Sequence, residues 1–248
     1  MSDTAHPDAE QERFAGQVRG MFDRIARIYD PLNTAMSAGL HHSWRERAAD
    51  RAELAPGDTA LDACCGTGDL ALALARRVGP GGTVTGSDFS ERMLELARGK
   101  AARRGVAGVR FEWGDALDLP YEDATFDAVT VGFGVRNFAD VERGVTELAR
   151  VLRPGGRLVI LEITQPRRPP LSTFFALWFD RIVPVLGTLA GDREAYSYLP
   201  QSVKRFPAPE GLAAIMDRAG LERIRYTLLA GGIIAIHSGE RRADPAGS

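Results

Sequence analysis

A run of small and acidic residues, Leu61-Asp62-Ala63-Cys64-Cys65-Gly66-Thr67-Gly68-Asp69, is followed about 20 residues later by Gly86-Ser87-Asp88-Phe89-Ser90. An apolar stretch ends in an acid, glycines permit a tight turn, and a helical pattern begins. A second apolar stretch then ends in another acid. A strand-end carboxylate such as Asp88 accepts hydrogen bonds from both hydroxyls of a ribose, and Gly66 and Gly68 let the backbone approach a ligand closely. Together the segments read as a nucleoside-cofactor site.

Two cofactors compete for it. Gly66-Thr67-Gly68-Asp69-Leu70-Ala71 fits a dinucleotide pattern loosely. A dinucleotide, however, sets its pyrophosphate on the helix N-terminus, where Asp69 would repel it. S-adenosylmethionine carries a sulfonium and an ammonium, which suit carboxylates such as Asp62 and Asp69. On structure alone, the glycines form a turn and Asp69 caps a helix.

The elements that must position these residues alternate between strand and helix. Strand patterns fall at 59–63, 83–88, 109–113, 126–131 and 157–162, with helical patterns at 68–78, 90–104 and 140–152. A helix near 209–219 and two strands, 222–229 and 233–237, close the chain. This order predicts an α/β fold with a mostly parallel, seven-stranded, Rossmann-like sheet ending in an antiparallel strand. In such a sheet ligands bind beyond the carboxyl ends of the strands. Asp62, Gly66 and Gly68 follow strand one, Asp88 strand two, Asp115-Ala116 strand three and Gly132-Phe133-Gly134 strand four. Asp115 is placed to accept from an adenine amino group.

Composition limits the classes. A net charge of -2 gives no basic field for nucleic acid, and 248 residues with 44% hydrophobic content suit one large domain. The two cysteines, Cys64 and Cys65, are adjacent, so neither a normal disulfide nor a metal-ligand cluster is expected. They read as reduced side chains of a cytoplasmic protein. The start is polar and acidic, without a signal-peptide pattern, and no apolar run reaches a bilayer-spanning length. Residues 1–12 and 241–248 read as disordered tails around a single domain, 13–240. Within it, 13–50 forms an N-terminal helical lid and 163–205 a substrate-side insert.

Several segments then carry a resemblance. Val18-Arg19-Gly20-Met21-Phe22-Asp23-Arg24-Ile25-Ala26, Tyr29-Asp30-Pro31-Leu32-Asn33, Gly132-Phe133-Gly134-Val135-Arg136-Asn137-Phe138 and Arg150-Val151-Leu152-Arg153-Pro154-Gly155-Gly156 resemble the menaquinone/ubiquinone biosynthesis C-methyltransferases. So do Tyr196-Ser197-Tyr198-Leu199-Pro200-Gln201-Ser202, Phe206-Pro207 and Gly231-Gly232-Ile233-Ile234-Ala235-Ile236-His237. The resemblance covers residues 14–240. It implies a class I methyltransferase fold, S-adenosylmethionine as donor, a prenylated quinol as acceptor, and cofactor positions at Thr67, Asp88, Asp115 and Ala116. Cys64 departs from the glycine common there. The exit Ile163-Thr164-Gln165-Pro166 and the abundance of Ala and Arg favour demethylmenaquinol as the acceptor; the ubiquinone pathway, another lipid or phenol, and a non-catalytic binding protein are the alternatives.

Carbon methylation of a quinol needs a developing phenolate held in place and a ring carbon aligned behind the methyl. Arg136 is expected to stabilise the phenolate and Asn137 to orient a hydroxyl, with Tyr29 of the lid hydrogen-bonding the quinol. Arg136 has a structural alternative, pairing with Asp140 or Glu162. His41, His42 and His237 are the bases that pKa alone suggests. The broken apolar stretch Leu171–Leu189, preceded by Arg167 and Arg168, reads as a flap that receives a prenyl tail, an interfacial helix that docks transiently on the inner face of the cell membrane, a dimer surface, or a helix packed on the core. A second copy of the chain is the remaining expected partner.

Overall fold

The computed structural model describes residues 7–177, 181 and 193–243. Two helices lead, α1 (Pro7–Ser37) and α2 (Leu40–Arg51), followed by β1 (Thr59–Ala63), α3 (Asp69–Val78), β2 (Thr83–Asp88), α4 (Glu91–Arg104) and β3 (Val109–Trp113). Then come β4 (Phe126–Gly132), a 3-10 turn at Val135–Asn137, α5 (Val141–Arg150), β5 (Leu152–Ile163), α6 (Leu171–Leu177), α7 (Arg193–Arg205), α8 (Pro209–Arg218), β6 (Leu221–Leu229) and β7 (Ile234–Arg241).

The seven strands form one sheet in the order β3-β2-β1-β4-β5-β7-β6. Every pairing is parallel except those of β7, which runs antiparallel to both β5 and β6. The expected α/β architecture with an antiparallel last strand is therefore the observed one. Strand order reverses between β1 and β4, which places the ligand crevice at their carboxyl ends.

Both faces are buried, as a parallel sheet requires. Ala60, Ala128, Val159 and Leu161 pack on one face, against α2, α3 and α4. Their neighbours Leu61, Val129, Leu158 and Ile160 pack on the other, against α5 and α8. The period of two divides each strand between two cores.

Local chemistry fixes the helix starts that face the crevice. The Ser90 hydroxyl accepts from the Met93 N–H at the start of α4, and Asp140 accepts from the Arg143 N–H at the start of α5. The strand read as 157–162 is longer: β5 begins at Leu152 and contains Pro154-Gly155-Gly156. Pairing with β4 jumps there, and a side chain at Gly156 would collide with the carbonyls of Arg153 and Asp127. The turn is folded into the strand.

Helix α1 starts at Pro7, so residues 7–12, read as tail, belong to the first helix. β7 likewise runs on to Arg241. The ends, residues 1–6 and 244–248, lie outside the described residues, as does most of the apolar stretch after Leu177.

Candidate active site

A cleft of about 700 Å³, open mouth included, lies over the strand ends. Gly66, Asp88, Asp115, Ala116 and Gly132 line it from the sheet, with Asn137 after β4 and Phe22 and Tyr29 from α1. Asp88 accepts from the backbone N–H of Gly66 at 2.8 Å and of Ser90 at 2.9 Å. These bonds aim the carboxylate and leave lone pairs for two ligand hydroxyls. Burial raises its pKa to about 6, against the two backbone donors, and Asp23 on α1 adds to the rise. Asp115 accepts from the Leu117 N–H at 2.9 Å.

Not all predicted cofactor residues line this cleft. Asp62 and Thr67 line a small polar chamber beside it, which shares Tyr29, Cys64, Gly66 and Gly132 with the cleft. Asp62 is buried; Oδ1 accepts from the Thr130 hydroxyl at 2.8 Å, while Oδ2 has no partner, and burial raises its pKa to about 7. Gly68 lines neither space. It caps α3 in the left-handed region, at φ 83°, with Phe111 and Ala97 against it, so its role is to let the turn pack.

Asp69 lines the side chamber too and is paired there with α4: Lys100 Nζ is 2.9 Å away and Arg104 3.6 Å. Burial works against its charge, but Lys100 holds its pKa below the ordinary carboxylate value. Lys100 and Arg104 offset part of its charge. His41, His42 and Asp69 come within 4.8 Å of one another, and Lys100 and Arg104 already occupy the one carboxylate in that group.

A second, larger cavity of about 1720 Å³, open mouth included, adjoins the cleft. Met21, Ile25, Leu32, Met36, Trp44 and Phe175 give it apolar walls, and Arg136 is its charged residue. Phe22, Tyr29 and Phe133 line both spaces. The Arg136 guanidinium pairs with buried Glu162 at 3.1 Å and donates to the Phe133 carbonyl, while its Nε is buried without a partner. Asn137 accepts from the Tyr198 hydroxyl at 3.1 Å and donates to the Phe133 carbonyl at 3.3 Å.

The histidines sort by environment. The Ser37 hydroxyl donates to the Asn33 carbonyl at 2.6 Å, so it accepts from Nδ1–H of His41 at 2.7 Å and leaves Nε2 unprotonated. Burial, then Arg45, lower the His41 pKa to about 4, so the ring is neutral in the cavity wall. His237 is buried and bonds the Pro209 carbonyl. It lines none of these cavities. Arg167, expected to meet head groups, pairs with Glu210.

Sequence reading missed the residues that fasten α1 over the strand ends. The Thr67 hydroxyl donates to Asp30 at 2.6 Å, and Lys100 pairs with Asp30 at 2.7 Å. The Ser90 hydroxyl donates to Asp23 at 2.5 Å. Asp23 and Asp30 stand two turns apart on α1, a spacing that puts both on one face. Arg45 was also missed. Its spacing from Ala48, Ala49 and Ala52 marks the buried face of α2.

A donor fits these residues. A carboxylate waits at each of two strand ends, and the side chamber holds partnerless atoms of both signs, Arg45 Nη1 and Asp62 Oδ2. Comparison with solved structures gives the fold. The [4+2]-cyclase SpnF matches with a TM-score of 0.69 at 21% identity, over 93% of this chain and 97% of its own. A SAM-dependent methyltransferase from Aquifex aeolicus matches with a TM-score of 0.58 at 20% identity, over 79% and 88%. Because a cyclase shares the fold, the fold does not choose the reaction.

Sequence similarity is more specific. A demethylmenaquinone methyltransferase from Thermus thermophilus is 51% identical over 89% of this chain and 100% of the relative. One from Desulfitobacterium hafniense is 44% identical over 92% and 90%, and one from Staphylococcus aureus 42% over 92% and 94%. The model of the ubiE/COQ5 methyltransferase family matches residues 8–241, in agreement with the quoted motifs. The chain belongs to the ubiE/COQ5 methyltransferase family.

Proposed function

We infer that the protein transfers a methyl group from S-adenosylmethionine to a ring carbon of demethylmenaquinol, giving menaquinol. The carrying observation is that a cleft holding Asp88 and Asp115 and a large apolar cavity share Phe22, Tyr29 and Phe133, in a chain 51% identical to a demethylmenaquinone methyltransferase. Bound donor supplies an electrophilic methyl on its sulfonium. Asp88 accepts from its ribose hydroxyls, and Asp115 and Ala116 flank the base.

Arg136 supplies positive charge beside the acceptor ring, where a hydroxyl becomes phenolate as the carbon is alkylated. Glu162 holds that guanidinium in place, Asn137 orients the ring hydroxyl, and Tyr29 bounds the space through which the methyl passes. The apolar walls exclude water and receive the prenyl tail. His41 stands neutral in the wall of the acceptor cavity with Nε2 free to take the ring-hydroxyl proton as the phenolate forms, and His237 lines none of these cavities.

Among the described residues no helix is long and apolar enough to cross a membrane. Transient docking on a bilayer is supported by Leu40, 52% exposed and part of the cavity wall, and by exposed Leu177 at the end of α6. Pairing of two copies is supported by edge strand β6, where Tyr226 and Leu228 are exposed; light scattering of the purified protein decides it. Quinone profiling by mass spectrometry after gene deletion tests the whole reading. Demethylmenaquinone should accumulate, and an unchanged quinone pool sinks the assignment.

A further inference from the structure

Helix α1 ends at Ser37 and α2 begins at Leu40, with Ala38 at φ 49° and Gly39 at φ 77° between them. Two left-handed residues reverse the chain, a conformation that Gly39 adopts freely. The reversal brings the Ser37 hydroxyl to the His41 ring. That hydroxyl has one hydrogen, donated to the Asn33 carbonyl at 2.6 Å. Its oxygen therefore accepts from His41 Nδ1–H at 2.7 Å, and from the His41 backbone N–H at 3.4 Å.

Ser37 and His41 both line the cavity assigned to the acceptor, and no hydrogen bond among the described residues engages His41 Nε2. The other polar side chains in that wall are unsuited to take a proton. Arg136 is a cation paired with Glu162, Asn33 an amide, Trp44 an indole, and Tyr29 and Tyr198 phenols like the acceptor itself. Charges on three elements face the His41 ring. Arg45 and His42 on α2 oppose its protonation, and Asp69 on α3 and Asp30 on α1 favour it. Burial, the largest effect, sides with α2 and keeps the lone pair free at neutral pH.

Resting on the methyl-transfer reading and on His41 as its proton acceptor, we propose that Ser37 is the positioning residue that makes His41 a base. It fixes one proton on Nδ1 and so presents the Nε2 lone pair to the ring hydroxyl of the acceptor. The O–H bond breaks, its proton joins Nε2, and the electron pair left on oxygen activates the ortho carbon that takes the methyl. Nδ1–H stays on Ser37 throughout. When the methylated carbon loses its own hydrogen to water, as a proton, the imidazolium returns its proton to the oxygen and the quinol is restored.

Nitrogen-15 NMR of the histidine rings, with turnover of a short-tailed demethylmenaquinol at saturating donor, tests this on wild type, Ser37→Ala, Ser37→Thr and His41→Gln. Wild type should show Nδ1–H at His41, the signal that His41→Gln removes. Ser37→Ala should shift that ring toward Nε2–H and lower kcat about 3- to 10-fold, the value of one neutral hydrogen bond, with KM little changed. Ser37→Thr should restore both. His41→Gln should lower kcat about 100- to 10,000-fold at neutral pH and regain activity as rising pH ionises the quinol itself. With His41 already replaced, Ser37→Ala should cost nothing further. Nε2–H at His41 in wild type, unchanged kcat in Ser37→Ala, or a loss that persists in the His41→Gln background would show a serine that only closes the helix junction and overturn the proposal. If Ser37→Ala does not fold, Ser37→Cys, which keeps the shape and accepts only weakly, takes its place under the same criteria. Undiminished turnover of His41→Gln would remove the base instead, and absence of methylated quinol from wild type would remove the reaction; the proposal falls with either.

Discussion

Arg136, in the turn after β4, and Glu162, at the end of β5, form an ion pair at 3.1 Å with both side chains nearly out of solvent. Burial raises the Glu162 pKa more than Arg136 lowers it, so the carboxylate depends on its partner. The pairing and the catalytic role, alternatives at the level of sequence, are compatible: an arginine fastened on one edge can still present another to a ligand.

Two effects then combine in Arg136→Ala. Turnover should fall about 100- to 1000-fold through loss of a preorganised donor. Stability should fall by about 3–5 kcal/mol because Glu162 is stranded. Arg136→Met with Glu162→Leu should recover much of the stability and none of the turnover. Denaturant unfolding and single-turnover kinetics separate the two; recovery of activity in the double variant counts against a catalytic Arg136.

Asp88 gives a pH dependence to donor binding. Only the ionised carboxylate accepts from both ribose hydroxyls, and its pKa in the ligand-free fold is about 6. Affinity should hold above that value and decline as pH falls through it. Asp88→Ala should cost about 1.5–3 kcal/mol of binding. Calorimetry between pH 5 and 8 reads both, and a flat profile contradicts the ribose role.

Asp62 should leave its mark on stability instead. The folded chain holds its proton up to about pH 7, whereas the free acid loses it near 3.8. Between those values the folded state binds more protons than the unfolded one. Stability of the ligand-free protein therefore declines as pH rises across that window, by up to about 1.4 kcal/mol per pH unit. Asp62→Asn should flatten the decline in urea titrations at fixed pH values; parallel profiles for the two proteins would refute it.

The apolar cavity predicts a dependence on tail length. Phe175 lines it and also packs on Val203. Phe175→Ala should cost about 3–5 kcal/mol of stability, and in the surviving folded protein raise KM for a long-tailed quinol more than for a short-tailed analogue. Leu40→Asp leaves the core alone and should lower liposome flotation. Equal KM changes for both acceptors argue against a tail site.

Cys64 occupies the left-handed region at φ 55°, where a non-glycine residue carries strain of about 1 kcal/mol. Cys64→Gly should raise the melting temperature, provided that relief exceeds the added freedom of the unfolded chain. A lower melting temperature would show that contacts of the Cys64 side chain outweigh the strain.

The strand ends were legible because each acid or glycine stands at a break between an apolar run and a helical pattern, and the breaks align in a parallel sheet. Asp88, Asp115, Ala116 and Gly132 follow from that periodicity. Gly68 did not, since a glycine needed for packing against Phe111 has the same spacing as one needed by a ligand. Asp69 was legible as a charge at the turn, but its partner, Lys100 on the next helix, was not. Asp30, Asp23 and Arg45 escaped for the same reason. Their significance lies in contacts between elements remote in sequence, which periodicity along one element does not report.

Phe22, Tyr29 and Phe133 wall the two cavities in common, and every other residue lining either one belongs to that cavity and not to the other. Donor and acceptor therefore have separate room, and neither has to leave before the other binds. Such a layout permits both substrates to be present together before reaction. Initial-velocity lines at several fixed acceptor concentrations should then intersect rather than run parallel, and no methylated form of the protein should accumulate when the quinol is withheld.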